Sequence, residues 1–503
     1  MGITGRIILF LFLFISIGVN AQDTKKDGFN DFKKEIESVF MSQREADRLA
    51  YRKFRDEANA KYAEFLKETW GTRESEPAVP IPQEEPVFPV QPVAPENTNA
   101  YTEVTEPLPY NLVITLPEPI QQPQPVVPIF EVPNLNIEWF DFEFYGTNCQ
   151  VRIDERHRFE FSTLDGFAIS EQWKNCSGEL YDNLIRDCLE LRMKMKLCDY
   201  AYLQMLDVLC DEFLGEDTNE SVFLRAFLYC QSGYKMRLAI ADGENRLVMS
   251  YSTHHTIYGA GVKRFPGGFY LYDNTDQTRF AFCDVPFDGE QPLSLIINSS
   301  PVLAEYDTEE RKIESSRYIN MSFVANENKN LIDFYNTYPI STYSGNQMTQ
   351  WSIYANTPVS ETVEKSLYAP MKERLEGLSP YDAVSYLLNW VQTGFDYEVD
   401  QKVWGAERIF FMEETLYYPY CDCEDRSILF TRMVRDLLGL DALLVGYPGH
   451  LAAAVAFPEA VNGDWFLYED KKYVVCDPTY LGASIGVSMP QYKGVSAGLI
   501  KLD

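Results

Sequence analysis

Apolar residues recur every three or four positions in several stretches of the chain, and this spacing predicts helices. Between Phe29 and Trp70 the recurring apolar residues are separated by many charged ones, which predicts an amphipathic helix or helical pair. We expect its apolar stripe to pack on the body of the protein or on a second copy of the chain. Residues 22–75 are therefore a charged helical region, and residues 29–70 are a candidate oligomerisation segment.

Two later regions share one order of predicted elements: a helix, a glycine that ends it, and then strands. The first helix stops at Gly233 and the second, "RSILFTRMVRDLLGL", stops at Gly439. Short apolar runs with turn residues between them follow each glycine, and these predict strands. The pattern predicts an α+β fold, with one α+β domain at 136–342 and another at 343–503.

The shared order suggests that the two domains are distant copies of one module. Two α+β domains without common ancestry are the alternative. Aligning the two glycines places Asp217 at the position of Cys423 and Glu244 at the position of His450. The first copy would then lack the two residues on which chemistry in the second depends.

The stretch from Pro77 to Pro133 carries more than half of the prolines of the chain. Proline favours extended backbone, so residues 76–135 are predicted to form a proline-rich linker. Such a linker would hold the folded domains away from the N-terminal helix. A ligand for a proline-binding module is the alternative interpretation.

The N-terminus has the layout of a signal peptide covering residues 1–21. Arg6 precedes an apolar run at Ile7–Val19, and "VNA" stands before Gln22. The run is shorter than the ~20 residues that a membrane-spanning helix needs. We therefore expect an exported protein, either periplasmic or secreted, with association to the cell envelope through the N-terminal helix.

Charge and composition exclude several classes of partner. The net charge of −31 disfavours binding to nucleic acid and to anionic lipid. The sequence contains no CxxC pair and only four histidines, so no metal site and no cofactor are expected. His254 and His255 are adjacent on a predicted strand, where neighbouring side chains point to opposite faces.

Candidate chemistry lies in the stretch "YPYCDCEDRSILF", where Cys423 stands at the start of a predicted helix. Backbone N–H groups at a helix start favour a thiolate. His450 opens a predicted strand, and Asp477 ends another, before Pro478 and Thr479. A cysteine, a histidine and an aspartate on such elements can form a thiol nucleophile with its base and an orienting carboxylate.

These residues carry a resemblance to a known family. The stretches "NWVQTGFDYEVD", "CDCEDRSILF", "YPGHLAAAVAF" and "CDPTYLGASIG" resemble the transglutaminase-like cysteine hydrolases, particularly exported members from Bacteroidetes-type bacteria. The resemblance implies a papain-like fold for residues 343–503, and acyl transfer at a peptide or isopeptide amide. It implies that Cys423 is the nucleophile, His450 the base and then the acid, and Asp477 the residue that orients His450. Tyr397 or Gln392 would assist in holding the oxyanion.

Two features of the sequence oppose this interpretation. Asp422, Glu424 and Asp425 surround Cys423, and their negative charge disfavours a thiolate unless a His450 cation or Arg426 compensates for it. In an oxidising compartment, a disulfide between Cys423 and Cys476 would also remove the nucleophile.

The sequence therefore leads to two functional hypotheses. The first is an exported thiol hydrolase that acts on a protein or peptide substrate. The alternative is a catalytically inactive member that binds or scaffolds other components at the cell envelope.

Overall fold

The computed structural model describes residues 25–68, 70–81, 88–95, 104–117, 122–133 and 135–503, with the backbone alone for residues 25–45. The predicted signal peptide lies outside these residues. The chain divides into two compact units, one that ends at Glu57 and one that runs from Ala58 to Asp503. In the described part of the chain, no helix combines the length and the apolar character that crossing a membrane requires.

A long helix, α1 (Lys25–Leu66), occupies the region of the charged apolar stripe. In the first unit, Tyr51 and Phe54 are exposed on this helix. In the second unit, Tyr62 and Leu66 are buried in the main hydrophobic core. The last turns of α1 thus pack on the body of the protein, which was one of the two expectations from the sequence. Oligomerisation through residues 29–70 stays a prediction.

The remaining elements alternate between groups of helices and groups of strands. The helices after α1 are α2 (Gly166–Cys176), α3 (Asp182–Lys194), α4 (Asp199–Leu214), α5 (Asn219–Gln231), α6 (Lys329–Asn336), α7 (Met348–Asn356), α8 (Glu361–Val363), α9 (Ala369–Leu375), α10 (Pro380–Gly394), α11 (Asp400–Val403), α12 (Met412–Tyr417) and α13 (Cys423–Leu438). Shorter helical turns lie at Glu155–His157, Glu179–Tyr181, Glu364–Tyr368 and Pro490–Tyr492.

The strands belong to two six-stranded sheets and several two-stranded pairs. They are β1 (Gly71–Glu74), β2 (Tyr110–Ile114), β3 (Trp139–Phe144), β4 (Thr147–Arg152), β5 (Met236–Ala241), β6 (Leu247–Ser252), β7 (His255–Ile257), β8 (Val262–Phe265), β9 (Phe269–Tyr272), β10 (Arg279–Phe282), β11 (Arg311–Glu314), β12 (Ser322–Ala325), β13 (Ser341–Tyr343), β14 (Asp396–Tyr397), β15 (Tyr420–Cys421), β16 (Ala442–Tyr447), β17 (His450–Ala456), β18 (Trp465–Tyr468), β19 (Lys471–Cys476) and β20 (Ala497–Lys501). The predicted α+β class is confirmed.

The two large sheets, which curl as half-barrels, have the same strand order. The first sheet runs β1-β10-β5-β6-β9-β8, and the second runs β2-β20-β16-β17-β19-β18. In each sheet, the two strands that follow the glycine-terminated helix pair with each other at the centre, and a strand from the N-terminal part of the chain closes one edge. The edge strands differ, since β1 pairs antiparallel with β10 and β2 pairs parallel with β20.

The shared strand order corrects the residue alignment made from the two glycines. Strand β6 begins at Leu247 and helix α5 begins at Asn219, so these residues, and not Glu244 and Asp217, correspond to His450 and Cys423. The alignment missed Leu247 because the turn between β5 and β6 is longer than the turn between β16 and β17, and it missed Asn219 because α5 is shorter than α13. Common ancestry of the two regions stays a prediction.

Side chains of the second sheet alternate between two hydrophobic layers, as the strand period requires. Ala453 and Val455 face one layer, which also contains Leu429 and Met433 of α13. Ala452 and Ala454 face the other. Helix α13 is thereby pressed against the sheet, and this contact places the start of the helix near the first residue of β17.

The described parts of the proline-rich stretch are not a free linker. Residues 110–114 form the edge strand β2, and the Val132 N–H donates to Asn183 Oδ1 at 2.8 Å. Ile114 and Val132 are buried. The expectation of an extended spacer over 76–135 was wrong for these residues, because the apolar residues between the prolines bury themselves on the body.

Candidate active site

Cys423 is the first residue of α13, as the sequence pattern predicted. The backbone N–H of Asp422 donates to Asp425 Oδ2 at 3.3 Å and so closes the first turn of the helix. Arg426 is fully buried, and its guanidinium donates to the carbonyl of Phe395 at 2.8 Å. Arg426 therefore anchors the helix to the end of α10.

His450 and Asp477 meet at the ends of two neighbouring strands. The turn Pro448-Gly449 joins β16 to β17, with Gly449 at φ +67°. His450 Nε2 lies 2.9 Å from Asp477 Oδ2. Asp477 Oδ1 accepts hydrogen bonds from the N–H groups of Thr479 and Tyr480 at 3.0 and 3.1 Å. The carboxylate is thus held at both oxygens, and it fixes the orientation of the imidazole.

Two aromatic rings enclose the His450 imidazole. Tyr492 stacks on it with the ring centroids 5.4 Å apart, and the Phe88 ring meets it edge-on at 5.6 Å. His450 is only 2% exposed, and among the described residues its Nδ1 atom has no hydrogen-bond partner. Because Nε2 is engaged by Asp477, Nδ1 is the nitrogen that is available to exchange a proton.

Cys423 and His450 line the same small cavity. Its volume is about 30 Å³, and Trp351, Gly449 and Leu451 also contribute to its wall. A cavity of this size holds one or two water-sized groups and is too small for a peptide. The structure therefore brings the predicted nucleophile and base to the wall of one small cavity.

The Cys423 thiol lies in an environment that disfavours its thiolate form. It donates to Glu424 Oε2 at 2.9 Å. Burial raises the pKa of Cys423 well above its usual range, and the negative charges of Glu424 and Asp422 raise it further. The Arg426 guanidinium faces backbone carbonyls and does not offset these charges. The sequence had already indicated that these acidic neighbours disfavour a thiolate.

The two candidate oxyanion residues have different surroundings. Gln392 donates both amide hydrogens, to the carbonyls of Asp477 at 2.9 Å and Ala483 at 3.0 Å. Its side chain supports the Asp477 turn and has no N–H left for an oxyanion. Tyr397 donates its hydroxyl to the carbonyl of Phe88 at 2.9 Å. Tyr397 therefore already binds a peptide carbonyl beside the site.

A segment of the proline-rich stretch covers the site. We call residues 88–95 the strap. Phe88 contacts His450, and Gln91 Nε2 donates to the carbonyls of Gln392 and Thr479 at 3.0 and 3.2 Å. Val93 and Ala94 pair with Leu481 through backbone hydrogen bonds. The strap is thus attached at several points to the loop that follows Asp477.

Cys423 and Cys476 do not form the disulfide that the sequence left open. All ten cysteines lie in the described part of the chain, and each is a free, buried thiol. Burial raises the pKa of Cys421 to about 11 and that of Cys476 above its usual range. Cys421 and Cys476 are therefore inert internal references for the reactivity of Cys423.

Several residues around the site were not found from the sequence. Asp400, Glu407 and Trp351 line the cavity with Cys423, and Tyr492 stacks on His450. They come from separate parts of the chain, and none belongs to a spaced motif. Only the tertiary structure brings them together.

Comparison with known proteins does not identify the chain. No protein-family model, no curated protein and no solved structure matches it.

Proposed function

We propose that the protein is an exported thiol hydrolase of the transglutaminase-like, papain-fold type, which acts on a peptide or isopeptide amide. The observation that carries the proposal is the His450–Asp477 contact, with His450 Nδ1 left without a partner in a cavity shared with Cys423. A histidine oriented by a carboxylate beside a cysteine at a helix start is the arrangement that activates a thiol.

The proposed reaction has two halves. His450 Nδ1 takes the thiol proton of Cys423, the sulfur attacks the amide carbonyl, and the proton passes to the departing amine. Water then attacks the thioester carbonyl, His450 takes a proton from it, and the carboxylic acid is released as the thiol is restored. Backbone N–H groups at the start of α13 and the Tyr397 hydroxyl are the candidate donors to the oxyanion.

Access to the thiol requires movement of the strap. In the described structure Phe88 and the Tyr397–Phe88 hydrogen bond occupy the side of the site where a substrate peptide would lie. The structure thus supports a closed, resting form of the enzyme. Removal of the Phe88 ring is expected to expose His450 and Cys423.

A catalytically inactive binding or scaffolding protein is the second candidate. The observation that favours it is the Cys423 thiol itself, which is buried, bound to Glu424 and raised in pKa. The two candidates differ in whether His450 controls the reactivity of Cys423.

Alkylation with iodoacetamide in the presence of a chelator tests the proposal. The full chain and a Phe88→Ala variant are labelled between pH 6 and pH 9, and mass spectrometry gives the rate at each cysteine. We expect Cys423 in Phe88→Ala to react faster than Cys421 and Cys476. Adding His450→Ala should abolish this advantage, whereas His254→Ala, at an exposed histidine, should leave it unchanged.

Two results would overturn the thiol hydrolase. One is labelling of Cys423 that is no faster than that of the two reference thiols in both proteins. The other is fast labelling that does not depend on His450. Either result would favour the binding protein.

A further inference from the structure

Five acidic side chains gather around the start of α13. Asp400 comes from α11, Glu407 from the loop after it, and Asp422, Glu424 and Asp425 from the head of α13 itself. One oxygen each from Asp400, Glu407 and Glu424 lies within 4.8 Å of the other two. The same holds for Asp400, Asp422 and Asp425. We call these five residues the carboxylate cluster.

Within the described parts of the chain, the cluster is buried without a salt bridge to a lysine or an arginine. Four of its members are buried, and Glu407 is partly exposed. The Arg426 guanidinium donates to the carbonyl of Phe395, and the Arg408 guanidinium pairs with Glu414 at 2.7 Å. The backbone N–H of Arg408 donates to Asp400 Oδ2 at 2.6 Å. Buried carboxylates of this kind need shared protons or a bound cation.

A separate observation points to a ligand. Asp422 is 4% exposed, and among the described residues its Oδ1 atom has no hydrogen-bond partner. Asp400, Glu407, Asp422 and Glu424 all line the cavity of about 30 Å³ beside Cys423. A volume of this size accommodates one ion with a water molecule. Asp422 therefore belongs to the carboxylate cluster, lines the cavity and carries an oxygen without a hydrogen-bond partner among the described residues.

We propose that the carboxylate cluster binds a divalent cation through Asp400, Glu407, Asp422 and Glu424. Asp425 has both oxygens engaged, by the N–H groups of Phe410 and Asp422, and it supports the helix start instead. Carboxylate oxygens select hard cations such as Ca²⁺ and Mn²⁺, and Mg²⁺ is less suited because it retains most of its waters. The cation would cross-link α11, the following loop and α13.

This inference is independent of the proposed thiol chemistry. It needs neither Cys423 nor His450 as a ligand, so a Cys423→Ser variant should retain the cation. Zinc is the competing assignment, because Cys423 and His450 line the same cavity and zinc prefers sulfur and nitrogen ligands.

Terbium luminescence provides a direct test, because Trp351 lines the cavity and its indole can sensitise a bound Tb³⁺ ion. The chelator-treated full chain is titrated with Tb³⁺, and Ca²⁺ or Mn²⁺ is then used to displace it. We expect saturable luminescence excited through tryptophan. Asp400→Asn and Glu407→Gln should weaken the affinity at least about tenfold each, since each removes a charged ligand.

Glu327→Gln is the matched control. Glu327 is 1% exposed, and burial raises its pKa to about 8, but it lies outside the cluster. This variant should bind Tb³⁺ with unchanged affinity. Thermal unfolding without cation provides the check on folding, because Asp400→Asn relieves repulsion and should unfold at an equal or higher temperature than the natural chain.

Three outcomes would overturn the proposal. They are no sensitised luminescence in the natural chain, unchanged affinity in both cluster variants, and zinc binding that is lost in Cys423→Ser while Ca²⁺ and Mn²⁺ fail to displace Tb³⁺.

Discussion

The two six-stranded sheets place a carboxylate at equivalent positions but hold it with different partners. Asp273 directly follows β9, as Asp477 directly follows β19. Asp273 Oδ2 lies 2.9 Å from Lys263 Nζ and 3.2 Å from an Arg246 guanidinium nitrogen. Asp477 instead meets His450 at 2.9 Å. One carboxylate is bound by a lysine and an arginine, and the other by an imidazole.

The first residues of helices α5 and α13 also have different hydrogen-bond partners. In the first sheet, Asn219 Oδ1 accepts from the N–H of Leu247 at 2.7 Å and so ties the helix to the strand. In the second, Cys423 occupies the helix start, and its thiol donates to Glu424 Oε2 at 2.9 Å. The two sheets thus share one strand order but carry different side chains at the strand ends. We propose that these side chains stabilise the first sheet and form a reactive site in the second.

The largest expected effect is on stability in the first sheet. Lys263→Met leaves the buried Asp273 carboxylate with Arg246 as its one remaining ion-pair partner among the described residues, and we expect a loss of about 3–5 kcal/mol in the free energy of unfolding. His450→Gln in the second sheet should cost less than about 2 kcal/mol, because Asp477 keeps its two backbone donors. Urea unfolding of both variants measures the two losses. A smaller loss for Lys263→Met than for His450→Gln would contradict the expected ranking of the two sites.

The second prediction concerns pH. Burial raises the pKa of Glu413, beside α13, to about 7. In the first sheet, the hydrogen bonds from Lys263 and Thr275 and the charge of Arg246 together outweigh burial and lower the pKa of Asp273. Since the folded pKa of Glu413 exceeds its unfolded value of 4.5, its contribution to stability is complete below pH 4.5 and is lost as the pH rises through 7.

Glu413→Gln should therefore reduce the fall in stability between pH 5 and pH 8 by up to about 3 kcal/mol. The substituted amide oxygen can still accept from the Ser360 N–H, which lies 2.8 Å from Glu413 Oε1. Urea unfolding at the two pH values measures the change, with Glu160→Gln at an exposed position as the control. An unaltered pH dependence in Glu413→Gln would contradict the prediction.

The third prediction separates the two aspartates by reactivity. In the Phe88→Ala background, Asp477→Asn should slow iodoacetamide labelling of Cys423 about tenfold, because His450 loses its orienting carboxylate. Asp273→Asn should leave the rate unchanged, since Asp273 belongs to the other sheet. Equal effects of the two substitutions would mean that both act through the stability of the fold.

The smallest expected effects are at the two helix caps. Thr218 Oγ1 accepts from the Ser221 N–H at 3.1 Å at the start of α5, so Thr218→Ala should cost about 1 kcal/mol. Asp422→Asn before α13 should be neutral or gain up to about 1 kcal/mol in the absence of cation, because it removes one buried like charge. Thermal unfolding in chelator measures both, and a clear loss for Asp422→Asn would show that its charge is compensated without a cation.

Local patterns predicted the elements better than their assembly. The glycines Gly233 and Gly439 both have positive φ and end helices where the sequence placed the stops. The strand order was not predictable, because pairing partners such as β2 and β20 lie far apart in the chain. The proline-rich stretch was misinterpreted for the same reason: composition indicates extended backbone but not whether that backbone adds to a sheet.

The candidate site shows a similar division. Cys423, His450 and Asp477 were predicted because each stands at the end of an element that its neighbours in sequence define. The strap residue Phe88 and the cluster residues Asp400 and Glu407 were not predicted, and the sequence indicated no metal site. Each of these residues reaches the site through folding of distant segments, and no spacing in the chain records such a contact.

Residues close together in the chain were enough to predict the α+β class, the helix stops and the three residues of the proposed triad, because each depends on a local pattern. The shared strand order of the two sheets, the contact of the strap with His450 and the five carboxylates around the helix start are visible only in the folded protein. These features depend on burial and on contacts between distant segments, which also set the charge environment of Cys423.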